Sequence, residues 1–381
     1  MQAAQFLFWL LSGLVLLNYG VYPLALLLLG ALAPRRGAPG RAAGGLPDIS
    51  VLVSARNEEH NIASRIDNLL SSDYPGRMEI LVGSDASDDS TDSIVAARAG
   101  DGVRLVRSDT RAGKPRMLQR LAAEARGSVF VFTDADTVFA RDTVRLLAEP
   151  FSDPSVGCVD GSRRNSLDSE TCESLYWRYE RWIKQSCSRL GAVLGATGAV
   201  FALRREAFMP LAPDRSDDFE LAVMARIQGF SAVFSRGAVA MEPAPDDSRQ
   251  YRRMVRIVSW MSVSGLMLFA RALKRGRGWL ALQLVVHKML RWLAGYFLIL
   301  ATITAGLLWG DPLYGTAFAL LAVFHLLALA GLLSRGRLPG KLLFPYYFWL
   351  MNWASMEGLA RAAARRPVET WDRERVRESR P

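Results

Sequence analysis

The residues able to do chemistry in this 381-residue chain fall in four polar clusters held between two apolar ends. Asp85-Ala86-Ser87-Asp88-Asp89 follows one β-rich run and Asp134-Ala135-Asp136 follows another. Asp217-Asp218 opens a helical stretch, and Gln250-Tyr251-Arg252-Arg253 precedes a basic amphipathic one. Carboxylates at strand ends are where an open α/β sheet presents a divalent cation and a nucleotide. A carboxylate beside a substrate hydroxyl suits proton removal, and the arginine fork suits a diphosphate. The pattern points to use of a nucleotide-activated substrate at a membrane surface. Each cluster also has a plainer reading. Asp85 can close an Asx turn, Asp136 can cap a helix over Thr137 to Leu147, and Asp217-Asp218 can be the acidic first turn of a helix.

The elements that must position these clusters are legible as alternating short β-rich runs and helical stretches, which argue for βαβ units and a mainly parallel sheet. Strands are expected at Ile49 to Ser54, Met78 to Gly83, Val103 to Val106 and Val129 to Thr133, with helices over Glu59 to Leu70 and Lys114 to Arg126. Arg56, Asn57, Glu58, Asp85, Asp134 and Asp136 then all sit at carboxyl ends of strands.

Half of the chain is hydrophobic and its net charge is +10, more apolar and more basic than one ordinary soluble domain requires. Met1 to Pro34 carries no charged side chain, and Phe6 to Leu32 exceeds the about 20 apolar residues that cross a bilayer. Its length, and the lack of a charged segment before it, favour a retained anchor over a cleaved signal peptide. Arg35, Arg36 and Arg41 in the following Pro/Gly linker place that side in the cytoplasm. Trp292 to Gly310 and Leu313 to Ser334 read as a helical hairpin turning at Asp311-Pro312. Leu342 to Met356 reads either as a further span or as a helix at the interface, because Arg335, Arg337 and Lys341 precede it and Arg361, Arg365, Arg366 and Arg373 follow.

Tyr251 to Leu273 reads as an interfacial helix on anionic headgroups, with His287, Lys288, Arg291 and Trp292 as anchors where the chain meets the bilayer. His325 falls inside a span, as a functional group or as a neutral ring bonded to a neighbouring helix. Cys158, Cys172 and Cys187 are odd in number with no C-x-x-C spacing, so neither a disulfide framework nor a zinc site is indicated. The basic charge clusters beside apolar segments with no nucleic-acid module, which argues against a nucleic-acid partner.

Val51-Leu52-Val53-Ser54-Ala55-Arg56-Asn57-Glu58-Glu59 and Ser84-Asp85-Ala86-Ser87-Asp88-Asp89-Ser90-Thr91 resemble the opening of family 2 glycosyltransferases. Gly113-Lys114, Asp134-Ala135-Asp136, Tyr176-Trp177-Arg178-Tyr179-Glu180, Gly195-Ala196-Thr197-Gly198-Ala199, Asp217-Asp218 and Gln250-Tyr251-Arg252-Arg253 continue it in order. With its membrane flanks the chain resembles the cellulose, chitin, hyaluronan and poly-N-acetylglucosamine synthase branch. The resemblance implies a GT-A fold, an α/β Rossmann-like and mostly parallel cytoplasmic domain flanked by transmembrane helices. Its boundaries are then a span over residues 1–34, a linker over 35–47, the GT-A domain over 48–247, basic interfacial helices over 248–291, C-terminal spans over 292–360 and a basic tail over 361–381.

The resemblance also implies roles. Asp85 contacts uracil and Glu58 supports the base or its loop. Lys114 approaches the nucleotide's charge, Asp134 contacts the ribose and Asp136 ligates Mg2+ or Mn2+. Asp218 is the general base of an inverting transfer, with Asp217 where the family usually has Glu. Gln250 and Arg253 hold the diphosphate. Met254 departs from the family's tryptophan, and a thioether offers no equivalent stacking face to a sugar ring. Tyr176 to Glu180 with Trp182 reads either as an acceptor-side helix or as core.

The expected enzyme moves a sugar from a UDP-sugar to a saccharide or lipid-linked acceptor at a multi-pass inner or plasma membrane of bacterial type, among membrane lipids. The alternatives are a single-addition glycolipid or polyprenyl-phosphate glycosyltransferase and, from another class, a non-catalytic UDP-sugar-binding subunit of a secretion complex. So few spans cannot enclose a wide pore, so export of a long product would need an oligomer or a partner protein.

Overall fold

The computed structural model describes residues 1–33, 45–165, 172–212, 215–242, 247–334, 338 and 340–364. The basic linker, Arg335, Arg337 and the tail from Arg365 lie outside the described residues, as do the side chains of Tyr176, Trp177 and Arg178. Eight strands among the described residues form one sheet: β1 Ile49–Ala55, β2 Met78–Asp85, β3 Val103–Ser108, β4 Val129–Asp134, β5 Val138–Phe139, β6 Val156–Asn165, β7 Phe201–Arg204 and β8 Ser231–Glu242. Their order is β3-β2-β1-β4-β7-β6-β8-β5. The first four are mutually parallel, β7 runs antiparallel to β4 and β6, and β8 runs parallel to β6.

The four expected strands form where the apolar runs lie, because a parallel strand covered on both faces reads as a continuous apolar segment. Every residue of β1 is buried. Strand order reverses between β1 and β4, the switch point at which open sheets bind ligands, and the register sets Ser54 beside Asp134 there.

In chain order the helices are α1 Gln2–Leu16, α2 Tyr22–Leu32, α3 Ile62–Leu70, α4 Thr91–Ala96, α5 Lys114–Glu124, α6 Thr143–Ala148, α7 Cys172–Arg189, α8 Asp217–Gln228, α9 Asp247–Lys274, α10 Gly278–Gln283, α11 Leu290–Leu307, α12 Pro312–Leu333 and α13 Phe344–Ala363. The plainer reading of Asp136 makes it the cap of a helix from Thr137 to Leu147. Instead β5 pairs with β8 and α6 starts only at Thr143, so Asp136 is no helix cap.

Among the described residues four helices are long and apolar enough to cross a membrane: Gln2–Leu32, Ser248–Lys274, Gly278–Leu307 and Pro312–Leu333. Leu17–Val21 and Leu284–Met289 are wide π-type turns inside the first and third of these. Pro23 explains the first, since its ring removes an N–H and displaces the carbonyl four residues back. The two wide turns meet, with Asn18 Nδ2 donating to the Val286 carbonyl at 2.6 Å. Asp311 accepts from the Leu313 amide at 2.9 Å, which caps α12 at the expected Asp311-Pro312 turn. α13 packs against α9, α11 and α12.

The membrane anchors read from the sequence have a different job. The third span begins at Gly278 rather than Trp292, so its first turns lie against the sheet domain. Arg291 pairs with Glu180 of α7 at 2.7 Å, the Lys288 Nζ lies 5.7 Å from the Phe219 ring centre, and His287 Nδ1 is 3.2 Å from the Tyr22 hydroxyl. Trp292 is buried against Leu194, Phe219 and Val223. Protein partners, not headgroups, satisfy this basic run.

Close helix approach depends on Gly358, where a Cβ would come 2.8 Å from the Val255 carbonyl oxygen of α9. Gly358→Val is expected to overpack this contact at a cost of about 1–3 kcal/mol. Thermal unfolding in one detergent should therefore give a Tm a few degrees lower. Gly13→Ala, at a position with nothing within 4 Å, should not lower Tm.

Candidate active site

Two elements bring carboxylates to the cation of a third at the carboxyl ends of β1 and β4. Lys114, the first residue of α5, places its Nζ 2.8 Å from Asp134 Oδ1 and 3.4 Å from Asp217 Oδ2. Gly113 precedes it with φ 83°, a conformation that favours glycine, and so aims the helix start inward. Burial pulls the Lys114 ammonium down, but Asp134, Asp217 and Asp218 outweigh it and hold the group above its ordinary value. Asp217 is pushed up by burial, with Lys114 opposing and Asp218 and Asp134 adding to the rise.

Asp218 opens α8 beside it. Its Oδ2 accepts from the Gly198 amide at 3.0 Å, and its Oδ1 accepts from the Phe219 amide at 2.7 Å and from the Ser216 hydroxyl. The glycine loop comes close because a Cβ on Gly198 would lie 3.2 Å from Asp218 Oδ2. That loop is pinned from behind by Asp160 on β6, which is fully buried. Asp160 accepts from the Thr197 amide at 2.7 Å and from Lys184 Nζ of α7 at 2.7 Å, and Lys184 also reaches the Thr197 hydroxyl at 3.1 Å.

Asp136, two residues beyond Asp134, faces more negative charge. Burial first, then Asp134 and Glu242, push its carboxyl up to about 6. Glu242 is the last residue of β8, brought near by the pairing of Val138 with Met241. Glu242 is held by Arg163 at 2.7 Å and by Arg253 at 3.3 Å. Beneath the aspartates lies Arg65, buried, donating to Thr133 Oγ1 at 2.7 Å and to Asn68 Oδ1 at 2.5 Å, with Phe139 under its guanidinium at 4.2 Å. Burial lowers its pKa to about 9, against the charges of Asp134 and Asp136, so the guanidinium stays charged at neutral pH.

A carboxylate crowded by two others at the mouth of a sheet suits a hard divalent cation completed by diphosphate oxygens. Asp136 and Asp134 fit that group, although among the described residues no three His, Cys, Asp or Glu side chains form a complete metal cage.

Asp85 and Glu58 lie at the neighbouring strand ends, yet their contacts are internal. Asp85 accepts from the Ala112 and Gly113 amides at 2.6 and 2.9 Å, which fixes the loop before Lys114. Glu58 is buried and accepts from Asn61 Nδ2 at 2.8 Å, while its amide donates to Thr91 Oγ1. Asn57 and Ala86 hold positive φ of 52° and 54° where these loops meet, a strained pair of the kind that clusters at ligand sites. Arg253 reaches Glu242 and so stands on the Asp136 side of the site, while Gln250, three residues earlier on α9, is buried with Oε1 unbonded. Met254 packs against the cluster of Leu194, Phe219 and Val258.

The sequence reading missed Arg65, Asp160, Lys184 and Glu242. Two of these left a signal. Arg65 lies on the apolar stripe Ile62, Ile66 and Leu69, where an exposed arginine has no place, and Asp160 is a lone charge after Val156-Gly157-Cys158-Val159.

A switch-point sheet carrying an Asp-x-Asp pair at the end of β4 is the arrangement of the GT-A class of glycosyltransferase folds, here joined to helices long and apolar enough to cross a membrane. The chain belongs to the glycosyltransferase-like family 2, whose model matches residues 47–259. It is 26% identical over 230 residues to an N-acetylglucosaminyltransferase of Rhizobium leguminosarum bv. viciae, covering 55% of this chain and 54% of that one. It is 29% identical over 177 residues to a beta-monoglucosyldiacylglycerol synthase of Trichormus variabilis, covering 43% of this chain and 37% of that one. The chain thus spans about half the length or less of these curated relatives. Its fold is similar to that of the mannosyltransferase PcManGT of Pyrobaculum calidifontis, solved with GDP-Man and Mn2+, with a TM-score of 0.72, 23% identity and coverage of 95% of this chain and 98% of that one.

Because the folded pKa of Asp136 is raised above that of an unfolded aspartate, the native state holds this proton more tightly. Its contribution to stability is therefore lost as pH rises through about 6. Asp136→Asn is expected to raise Tm of the metal-free protein at pH 7.5 and to remove the Tm increase that Mn2+ gives the parent. Equal Tm and an equal Mn2+ response in both proteins would contradict the crowding of these charges.

Proposed function

We propose that this protein is an inverting glycosyltransferase that moves a sugar from a UDP-sugar to a hydroxyl of a saccharide or lipid-linked acceptor at a membrane. The observation that carries this reading is the convergence of Asp134, Asp136, Asp217 and Asp218 around Lys114 at the switch point, with Asp218 held by a glycine loop. Asp85 and Glu58, at the adjacent strand ends, bound the side on which the base would lie. UDP is the proposed nucleotide, and GDP-Man, with which PcManGT was solved, is the natural comparison.

In this mechanism Asp218 takes the proton of the acceptor hydroxyl as its oxygen attacks the sugar C1, and the C1–O bond to the diphosphate breaks on the opposite face. Asp218 is suited to this because Gly198, Phe219 and Ser216 fix its orientation by three donors. Lys114 balances Asp134 and Asp217, so that one more proton can be accepted at Asp218 without stacking uncompensated charge. Asp136, with Asp134, would hold Mg2+ or Mn2+, which when bound neutralises charge on the departing nucleoside diphosphate. Arg253 and Gln250 close the diphosphate side.

The test is nucleoside diphosphate release by the purified protein with Mn2+ across UDP- and GDP-sugars, followed by mass spectrometry of product. Asp218→Asn should lose roughly 10²–10⁴-fold in turnover, the usual worth of a general base, while donor binding persists. Asp136→Asn should lose turnover together with its dependence on Mn2+. Parental activity in Asp218→Asn would end the assignment, and donor binding without turnover on any acceptor would favour a non-catalytic subunit.

A further inference from the structure

Among the membrane helices lies a cavity of about 720 Å³, bounded by α11, α12 and α13 and by Tyr251 of α9. That volume is within the roughly 300–1,000 Å³ of sites that hold small organic ligands. Its walls are apolar and aromatic, including Ile303, Leu329, Leu332 and Trp353, whose side chains are exposed among the described residues. Two of the bounding helices, and α9 as well, are long and apolar enough to span a bilayer, so whatever enters this cavity comes from the hydrocarbon phase.

One polar group interrupts the wall, and it is internally satisfied. Trp349 Nε1 donates to His325 Nδ1 at 3.0 Å, which leaves Nε2 as the donor to Thr302 Oγ1 at 2.9 Å, and Thr302 passes its own proton to the Leu298 carbonyl at 2.8 Å. His325 is thus spent on tying α11, α12 and α13 together, and it offers a bound chain no unpaired ring nitrogen. The cavity is held open by a fixed frame.

Its polar edge adjoins the candidate active site. The Tyr251 hydroxyl bonds to Glu357, and Glu357 pairs with Arg361 at 2.5 Å. Tyr251 sits in the turn of α9 that also carries Gln250 and Arg253, and Arg253 reaches Glu242 beside Asp136. One helical turn therefore separates the two spaces, with Arg253 on the catalytic side and Tyr251 on the membrane side. On the same helix Met254 packs into the Phe219 cluster and presents no ring face to a saccharide.

We propose that this cavity seats a hydrocarbon chain of the acceptor, a lipid whose free hydroxyl lies at the Tyr251–Glu357 edge and is presented to Asp218. The inference rests on the transferase reading and names its acceptor class. Occupancy by bulk bilayer lipid alone is the outcome that would refute it.

The test uses the full chain in phosphatidylcholine nanodiscs. In the first arm, dioleoylglycerol carrying a chain-borne diazirine is present as a minor component. Photolabelling should concentrate on peptides containing Trp349 and Trp353 and be displaced by unlabelled dioleoylglycerol; labelling spread evenly over the outer faces of α1, α2 and α12 would overturn the proposal. This arm needs no turnover, so it stands even if the transferase reading fails. In the second arm, Leu329→Trp and Ile303→Trp fill the cavity from exposed positions. Transfer to dioleoylglycerol should fall at least tenfold through KM, while donor hydrolysis and transfer to water-soluble dihexanoylglycerol stay at parental levels. Unchanged transfer to the long-chain lipid in both variants would refute the proposal, and absence of any transfer by the parent, with labelling intact, would fault only the catalytic reading.

Discussion

The ion pairing of Lys114 with Asp134 and Asp217 is the constraint on which the site depends. Those three residues come from the start of α5, the end of β4 and the start of α8, and their pairing holds these ends together at short range. A carboxylate pair at one strand end would repel, and a second pair at a helix start would repel it further. With Lys114 between them the arrangement costs far less, because attraction across a few ångströms is strong where water is scarce. Asp136 beside them keeps a raised carboxyl, from burial first and then from the negative charge of Asp134 and Glu242. Negative charge of that kind is what a cation and a diphosphate together require, since each offsets the other.

Much of the fold was legible because its physics is local. The four parallel strands are apolar runs ending in polar residues, and the structure places them within a few residues of expectation. The Asp-x-Asp pair and Asp217-Asp218 stood out through their order and spacing with the other motifs, since a carboxylate at an element end taken alone reads equally as a turn or a helix cap. The pairing of Lys114 with Asp217 was not legible, because it is made between residues distant in sequence. The basic run at His287, Lys288 and Arg291 misled for a related reason: cations beside an apolar segment serve equally to grip headgroups or to pair with protein. Only the position of Glu180, over a hundred residues earlier, decides it.

That pairing bears on how the two halves of the molecule are joined. Arg291 is bonded to Glu180 and covered by the rings of Tyr19 and Tyr179, at 5.5 and 5.8 Å, so the ion pair is shielded from water and bears load from both sides. Four residues on, one turn along α7, Lys184 meets Asp160 and Thr197. Gly198 follows Thr197 and donates to Asp218. A continuous path of short polar contacts therefore runs from a membrane helix, along α7, to the proposed base. Tyr22 and Leu26 of α2 add apolar weight to the same joint by entering the core beside Leu52 and Phe130. A base carried on a loop free of this path would drift relative to the bilayer. Here its distance from the helices long and apolar enough to cross a bilayer is set by packing, and an acceptor held by those helices would meet it at a fixed depth, which is the geometric condition for holding an attacking oxygen near a reacting carbon.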